Sequence, residues 1–220
     1  MSFTEQTEST PFKEIRARQP SPDTLVVYQA YSASIARSAT EQQKLSASSS
    51  FKVGRMTWIK PSFFWCTCLY VCPLWYRAGW SYKDRNQERI LAITMKREGL
   101  LELLSQATKT PGSPVRFQWD PERNVRLHKL SYRSLQLGIS SEILVTKWID
   151  EWIVKIEDIT DDVRRWKSCI DEGEEGIQNV VEDMERPEWL EKILEVPPEI
   201  RVQLQMDLPS KTTTSIVNPS

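Results

Sequence analysis

The sequence has few of the residues that enzymes commonly use for catalysis at neutral pH. It contains one histidine, His128, so any Ser/His or Cys/His pair must use that side chain. His128 lies in the polar stretch RLHKL, which indicates an exposed strand edge. Glycine is also scarce, with seven residues. The Walker A, G-x-G-x-x-G, G-x-S-x-G and H-E-x-x-H patterns are all absent, so the sequence predicts none of the sites that those motifs mark.

Long apolar runs are missing as well. The most apolar stretch, from Phe63 to Trp75, is about 13 residues long, whereas a membrane-spanning helix needs about 20. It is interrupted by Pro73 and bracketed by Lys60 and Arg77. We therefore expect no membrane association.

The four cysteines do not form a metal-binding pattern. Cys66, Cys68 and Cys72 have C-x-C and C-x₃-C spacing, and Cys169 lies in a separate predicted helix. Structural zinc sites pair C-x₂-C or Cys/His elements, and disulfides are rare in reducing compartments. We expect neither a metal nor a disulfide, and we predict that residues 61–79 form a buried aromatic helix.

Charge is distributed unevenly, although the net charge is -1. Residues 52–133 contain fifteen Lys or Arg against six Asp or Glu, and residues 171–199 contain eleven acids against two bases. A basic central body suits a phosphate-bearing ligand such as a nucleotide or a nucleic acid. Charge runs also form ordinary solvated faces, so both interpretations stay open.

The two ends of the chain are polar. Residues 1–11 are rich in Ser, Thr and Glu and have neither an apolar core nor an Arg-rich amphipathic pattern, so no targeting signal is visible. Residues 210–220 are similar. We predict disordered ends around a single domain at residues 12–209, in an intracellular, cytoplasmic protein.

Hydrophobic patterns predict an α+β domain with about six strands in a mixed or mostly antiparallel sheet flanked by helices. Strands are predicted at residues 14–17, 24–31, 89–95, 115–120, 132–139 and 151–159, with an extended segment at 56–59. Helices are predicted at residues 33–43, 96–108, 141–149 and 160–173, followed by an acidic helical part at 171–199. A continuous helix over 141–159 competes with the last strand.

Polar and aromatic residues alternate near the ends of the predicted strands. Aromatic rings with Arg, Lys and amide groups form the kind of site that stacks a base and pairs with phosphate. Each of these residues also has a purely structural interpretation. The candidates are Tyr28, Gln29, Trp58, Lys60, Arg77, Trp80, Gln118, Trp119, Asp120, Arg133, Gln136 and Glu151.

Several blocks of sequence resemble the uncharacterised family catalogued as domain of unknown function 4291. They include VVYQAYSASIA, RMTWIKPSFFW, YRAGW, VRFQWDPERN, YRSLQLGI and DEWIVKIEDIT, in this order. The resemblance covers roughly residues 13–165 and the ending PPEIRVQLQMDLP. In the family PSFFW runs almost directly into YRAGW, so we interpret residues 66–75 as an insert.

A more distant resemblance is to the ADP-ribosyltransferase superfamily, through VYQAY in an early strand and EWIV in a late one. It implies NAD as the cofactor, with Glu151 as the catalytic residue that polarises the ribose. Gln29 stands where the superfamily has His or Arg, so Arg16 or Lys60 would supply the missing charge. Trp58 or Trp80 would stack on a ring.

Three hypotheses follow. The first is an NAD-dependent ADP-ribosyltransferase-like enzyme that modifies a nucleic acid or a protein, using Glu151. Its cofactor site would comprise Arg16, Tyr28, Gln29, Trp58, Lys60, Arg77, Trp80, Arg133 and Gln136. The second is a non-enzymatic nucleotide or nucleic-acid binding module, and the third is a structural protein with a tryptophan-rich core.

Overall fold

The computed structural model describes residues 12–64, 86–126 and 128–207. Within them, nine strands form three sheets and six α-helices pack around the sheets. The strands are β1 (Arg16–Arg18), β2 (Thr24–Tyr31), β3 (Thr57–Ile59), β4 (Arg89–Lys96), β5 (Ala107–Thr108), β6 (Val115–Arg123), β7 (Lys129–Ile139), β8 (Ile153–Asp158) and β9 (Glu191–Ile193). The helices are α1 (Ala33–Gln42), α2 (Arg97–Gln106), α3 (Glu142–Lys147), α4 (Thr160–Asp171), α5 (Glu174–Glu185) and α6 (Pro198–Gln203). The α+β class predicted from the sequence is confirmed.

The strands divide into separate sheets rather than the single sheet that the sequence predicted. One antiparallel sheet has the order β2-β4-β8, and a second has the order β3-β7-β6-β5, in which only β5 and β6 are parallel. The two sheets meet at one backbone bridge, where Tyr28 N donates to Lys60 O at 2.7 Å and Lys60 N donates to Tyr28 O at 3.1 Å. Strands β1 and β9 form a third, small sheet.

Strand β2 is apolar on both faces because it separates two hydrophobic clusters. Leu25 and Val27 point into the larger cluster, whereas Val26 and Tyr28 point into a smaller one beneath α4 and α5. A strand that is buried on both sides has a continuous apolar sequence, which explains why TLVVY identifies it so clearly.

The segment before β8 forms a π-helical turn, Trp148–Trp152, which continues α3. Trp148 and Trp152 are both buried and anchor this turn in the larger cluster. The predicted strand at 151–159 was therefore wrong at its start, and the competing helix over 141–159 was wrong after residue 152. Glu151 is an exposed residue of the turn and does not open a strand.

The free edge of β8 is covered by one side chain. Gln43 follows α1 in the left-handed region, with a φ of 53°. Its Nε2 donates to Ile156 O at 2.9 Å, and its Oε1 accepts from Ile156 N at 2.8 Å. The amide thus replaces the hydrogen bonds of a neighbouring strand at this position.

The C-terminal part returns to the N-terminal end of the domain. Strand β9 pairs with β1, placing Glu191 opposite Arg18, so the prediction of a helical part over 171–199 was wrong at 191–193. The Arg201 Nη1 atom of α6 donates to Glu14 at 3.0 Å. Both side chains are largely buried, so this ion pair ties the two parts of the chain together.

Several predictions fall outside the described residues. Within the predicted aromatic helix, Pro61 and Ser62 are not helical, whereas Phe63 and Phe64 are buried and helical. Residues 65–79 of that helix lie outside the described residues, as do the insert 66–75 and both predicted disordered ends. None of the helices formed by the described residues is long and apolar enough to cross a membrane. Within the same residues, no group of three or more His, Cys, Asp or Glu could hold a metal ion.

Candidate functional site

The sheet that contains β3, β7 and β6 is amphipathic. Alternate residues such as Phe117, Leu135 and Leu137 point into the core. Residues that face each other on antiparallel strands share one side of a sheet, and the register pairs Gln118 with Gln136. The opposite side is thus mainly polar, and we call it the polar face. It carries Trp58, Lys60, Arg116, Gln118, Asp120, Glu122, Ser134 and Gln136.

A cleft of about 600 Å³ lies where the polar face meets the end of β2 and the start of α1. Its lining includes three cationic residues, three aromatic residues and several uncharged polar residues, and none of the lining residues that the structure describes is acidic. The cations are Lys52, Arg55 and Lys60, the aromatic residues are Tyr31, Phe51 and Trp58, and the polar residues include Gln29, Ser32, Ser34, Asn86 and Gln87.

Trp58 lies flat against the sheet because the residue beneath it is a glycine. A Cβ atom on Gly138 would come within 3.0 Å of three atoms of the indole ring. The ring is half-buried and forms part of the cleft wall. It therefore provides a fixed aromatic surface that a planar ligand group can stack on.

Gln29 and Thr57 connect β2 to β3 beside the cleft. The Gln29 Nε2 atom donates to Thr57 Oγ1 at 2.9 Å, and Thr57 Oγ1 lies 3.0 Å from Gln29 Oε1. The Tyr31 hydroxyl is 3.4 Å from the same Thr57 oxygen, and burial raises the Tyr31 pKa, so it stays neutral. Part of the hydrogen-bonding capacity of Gln29 is thus used to shape the cleft wall.

Asp120 is held rigidly in the middle of the polar face. Its two carboxylate oxygens accept from Gln118 Nε2 at 2.7 Å and from Gln136 Nε2 at 2.8 Å. Burial raises the Asp120 pKa, while these bonds and the charges of Arg133 and Lys60 act in the opposite direction. Lys60, which is only 4% exposed, thus both lines the cleft and acts on this carboxylate.

Further along the polar face, two carboxylates form an acid pair, of which Glu122 is buried and Glu191 is half-buried. Glu122 accepts from the hydroxyls of Ser62 and Ser134 and from Arg123 N at 2.8 Å. Burial raises the pKa of Glu122. Burial, followed by the charge of Glu122, raises the pKa of Glu191 to about 8. The acid pair therefore retains a proton at neutral pH.

Two arginines of β1 lie beside the acid pair, Arg16 near both glutamates and Arg18 near Glu191. The Arg16 guanidinium lies 4.3 Å from the centre of the Tyr132 ring, and the Arg18 guanidinium lies 4.9 Å from that of Trp189. Their charges oppose the rise in the pKa of Glu191. The Nη1 atom of Arg16 is buried and has no hydrogen-bond partner within the described part of the chain. Burial raises the pKa of Tyr132 to about 12, so its hydroxyl is neutral.

The structure brings together four residues of the cofactor site predicted from the sequence. Gln29, Trp58 and Lys60 line the cleft, and Gln136 lies on the adjoining polar face. Tyr28 does not join them, because its ring packs into the smaller cluster, 5.4 Å from Phe63.

The other predicted residues lie apart from the cleft. Arg16 is beside the acid pair, and the Arg133 guanidinium is 5.6 Å from the Phe12 ring. Arg77 and Trp80 lie outside the described residues.

Glu151 is at the opposite end of the sheet from Gln29. Gln29 pairs with Leu91, which pairs with the last residue of β8, whereas Glu151 precedes its first residue. At about 3.3 Å per residue the two are separated by roughly 15 Å or more. The structure therefore gives no support to one site shared by Glu151 and Gln29.

Sequence reasoning missed Lys52, Arg55, Tyr132 and the acid pair. The strand signal in VRFQWDPER was cut short at Pro121, although polar residues continue to alternate through Glu122. Proline is tolerated there because β6 has a register shift at that point. No local signal identifies Glu191, since its partners are distant in sequence.

The family described as Domain of unknown function (DUF4291) matches the chain over residues 14–188. The chain belongs to this family. No curated protein and no solved structure matches the chain. The match includes the cleft, the polar face and Glu122, but it ends before Glu191.

Proposed function

We propose that this DUF4291 protein binds a phosphate-bearing nucleotide in the cleft. The observation that carries the proposal is the composition of the cleft wall, which joins three cations to three aromatic side chains, with no acidic residue among the lining residues that the structure describes. Cationic side chains bind phosphate oxygens through charge-assisted hydrogen bonds. Aromatic rings stack on bases whatever their sequence.

The cations, rather than a helix dipole, provide the attraction for phosphate. A helix N-terminus attracts anions through its free N–H groups, but the first of these in α1, Ala33 N, donates to the carboxylate of Glu88 at 3.1 Å. Lys52 and Arg55 are exposed and open to solvent at the cleft, whereas Lys60 is buried in its wall. The first two residues can therefore be replaced without disturbing the core.

The Lys52→Ala/Arg55→Ala double variant is expected to bind ADP, ADP-ribose or NAD at least about tenfold more weakly than the unchanged protein. Each charge-assisted bond contributes about 1.5–3 kcal/mol, and 1.4 kcal/mol corresponds to a tenfold change in affinity. Isothermal titration calorimetry at low salt measures the effect. The matched control is Arg164→Ala/Lys167→Ala, which removes two positive charges from α4, away from the cleft.

Equal losses in both double variants would contradict the proposal, because a general charge effect would then explain them. Binding only to single-stranded RNA or DNA, with a steep decrease at higher salt, would favour the nucleic-acid module instead. If none of these ligands binds, the proposed function is wrong.

A second candidate function is NAD-dependent ADP-ribosyl transfer. In that reaction the bond between ribose C1′ and nicotinamide breaks, an acceptor atom bonds to C1′, and nicotinamide leaves as the neutral base. The acceptor gives up its proton. The observation that favours this candidate is Asp120, a fixed carboxylate on the same face as Trp58 and Lys60. A carboxylate there would stabilise the positive charge that develops on the ribose.

Asp120→Asn is expected to lower nicotinamide release by about 100-fold or more if the chain turns over NAD, since an oriented charge contributes about 3–4 kcal/mol to such a transition state. Glu151→Gln is the matched control, and we expect it to change the rate little because Glu151 lies far from the cleft. A large loss in Glu151→Gln with none in Asp120→Asn would reverse this assignment. The measurement is nicotinamide released over time, read by chromatography.

A further inference from the structure

The position of Lys60 in the cleft depends on the turn that follows it. The backbone of Lys60 is held by its bridge to Tyr28. The next residues, Pro61, Ser62 and Phe63, turn away from the sheet and are all buried. Anything that fixes Ser62 and Phe63 therefore also limits where Lys60 can lie.

The acid pair holds this turn from two sides. Glu122 of β6 accepts a hydrogen bond from the Ser62 hydroxyl, and Glu191 of β9 accepts from Phe63 N at 2.6 Å. Glu122 is itself held by Ser134 and by the backbone of Arg123. Two consecutive residues of the turn are thus bound to carboxylates from two strands that are distant in sequence, β6 and β9.

We infer that Glu122 and Glu191 are positioning residues for the cleft, which hold Ser62 and Phe63 and so fix Lys60 where a nucleotide phosphate binds. The inference rests on the proposed function and adds β9, which lies beyond the family match, to the parts that the cleft requires. Neither glutamate lines the cleft, so both act through the turn.

The charges around Glu191 give the turn a dependence on pH. Glu122 from β6, Arg16 and Arg18 from β1 and Tyr132 from β7 face it. With a pKa raised to about 8, Glu191 loses its proton as the pH rises from 7 to 9. The hydrogen bond from Phe63 N and the charges of Arg16 and Arg18 favour the ionised carboxylate, but desolvation and the charge of Glu122 outweigh them, as the raised pKa indicates. Ionisation of Glu191 therefore favours displacement of the turn.

The experiment compares Glu191→Gln and Glu191→Ala with the unchanged protein. ADP affinity is measured by calorimetry from pH 7 to 9, and amide hydrogen exchange of residues 60–63 by mass spectrometry at pH 7. The glutamine keeps an oxygen that accepts from Phe63 N but cannot ionise. The exposed Glu185, changed in the same two ways, is the matched control.

We expect the affinity of the unchanged protein for ADP to fall about tenfold between pH 7 and 9, and that of Glu191→Gln to change much less. In Glu191→Ala, the backbone amides of residues 60–63 should exchange at least about tenfold faster than in the unchanged protein. This variant should also bind ADP more weakly at pH 7. The Glu185 variants should behave like the unchanged protein.

Unchanged exchange in Glu191→Ala would overturn the inference, as would an equal fall in ADP affinity with pH in Glu191→Gln. If no protein binds ADP but exchange accelerates only in Glu191→Ala, the proposed function is wrong and the role of Glu191 in fixing the turn is supported.

Discussion

Gly176→Ala is expected to lower the free energy of unfolding by about 3 kcal/mol or more, at the upper end of overpacking effects. A Cβ atom at this position of α5 would lie 1.8 Å from the carbonyl oxygen of Cys169 in α4. That oxygen belongs to the backbone, so the clash is relieved only by moving the two helices apart. Trp166 and Val180, which pack in the smaller cluster, would then lose contacts.

A loss of stability in Gly176→Ala would be informative, because replacing glycine by alanine inside a helix normally stabilises a protein by about 1 kcal/mol. Urea denaturation followed by circular dichroism measures it. Gly112→Ala is the control, since nothing lies within 4 Å of the added atom and only a φ of +83° opposes it. We expect that variant to lose about 1–2 kcal/mol. A stabilised Gly176→Ala variant would mean that α4 and α5 do not approach each other as described.

The stability of the protein is expected to decrease as the pH rises from 5 to 8, by on the order of 2–4 kcal/mol from Glu191 alone. Its pKa is raised from an ordinary value of 4.5 to about 8. Between these values the folded chain binds a proton that the unfolded chain has lost. The contribution is therefore complete below pH 4.5 and is lost as the pH rises through 8.

Glu191→Gln should remove this part of the pH dependence, so that the variant is less stable than or equal to the unchanged protein at pH 5 and more stable at pH 8. The free energy of unfolding is measured by urea denaturation at pH 5, 6, 7 and 8. Glu185→Gln removes the same charge from an exposed position. Parallel curves for the unchanged protein and Glu191→Gln would show that Glu191 ionises freely in the folded state.

The sequence predicts those strands whose burial, on one face or on both, produces a simple hydrophobic pattern. Strand β2 is buried on both faces and reads as an unbroken apolar run, and β7 alternates because one of its faces is polar. The predictions for residues 148–152 were wrong because the spacing of Trp148 and Trp152 fits a helix and a strand equally well. Only packing against the core decides between them, and it selects a π-helical turn.

The candidate site was less predictable than the fold because its parts are far apart in the chain. Trp58 and Gln136 were found because aromatic and amide residues are conspicuous at strand ends. Glu191 could not be found, since it lies in an acidic stretch that resembles a solvated helix. Its place beside Glu122 and Phe63 comes from the pairing of β9 with β1, which no local pattern records.

The pairing of β1 with β9 has a consequence for synthesis on the ribosome. A domain generally folds as a unit during synthesis, and β1 is made long before its partner β9 appears. Until residue 193 has left the ribosome, Arg16 and Arg18 have no neighbouring strand and the amide of Phe63 lacks its acceptor. A chain that stops before β9 would thus have most of its sheets and no completed turn beside the cleft.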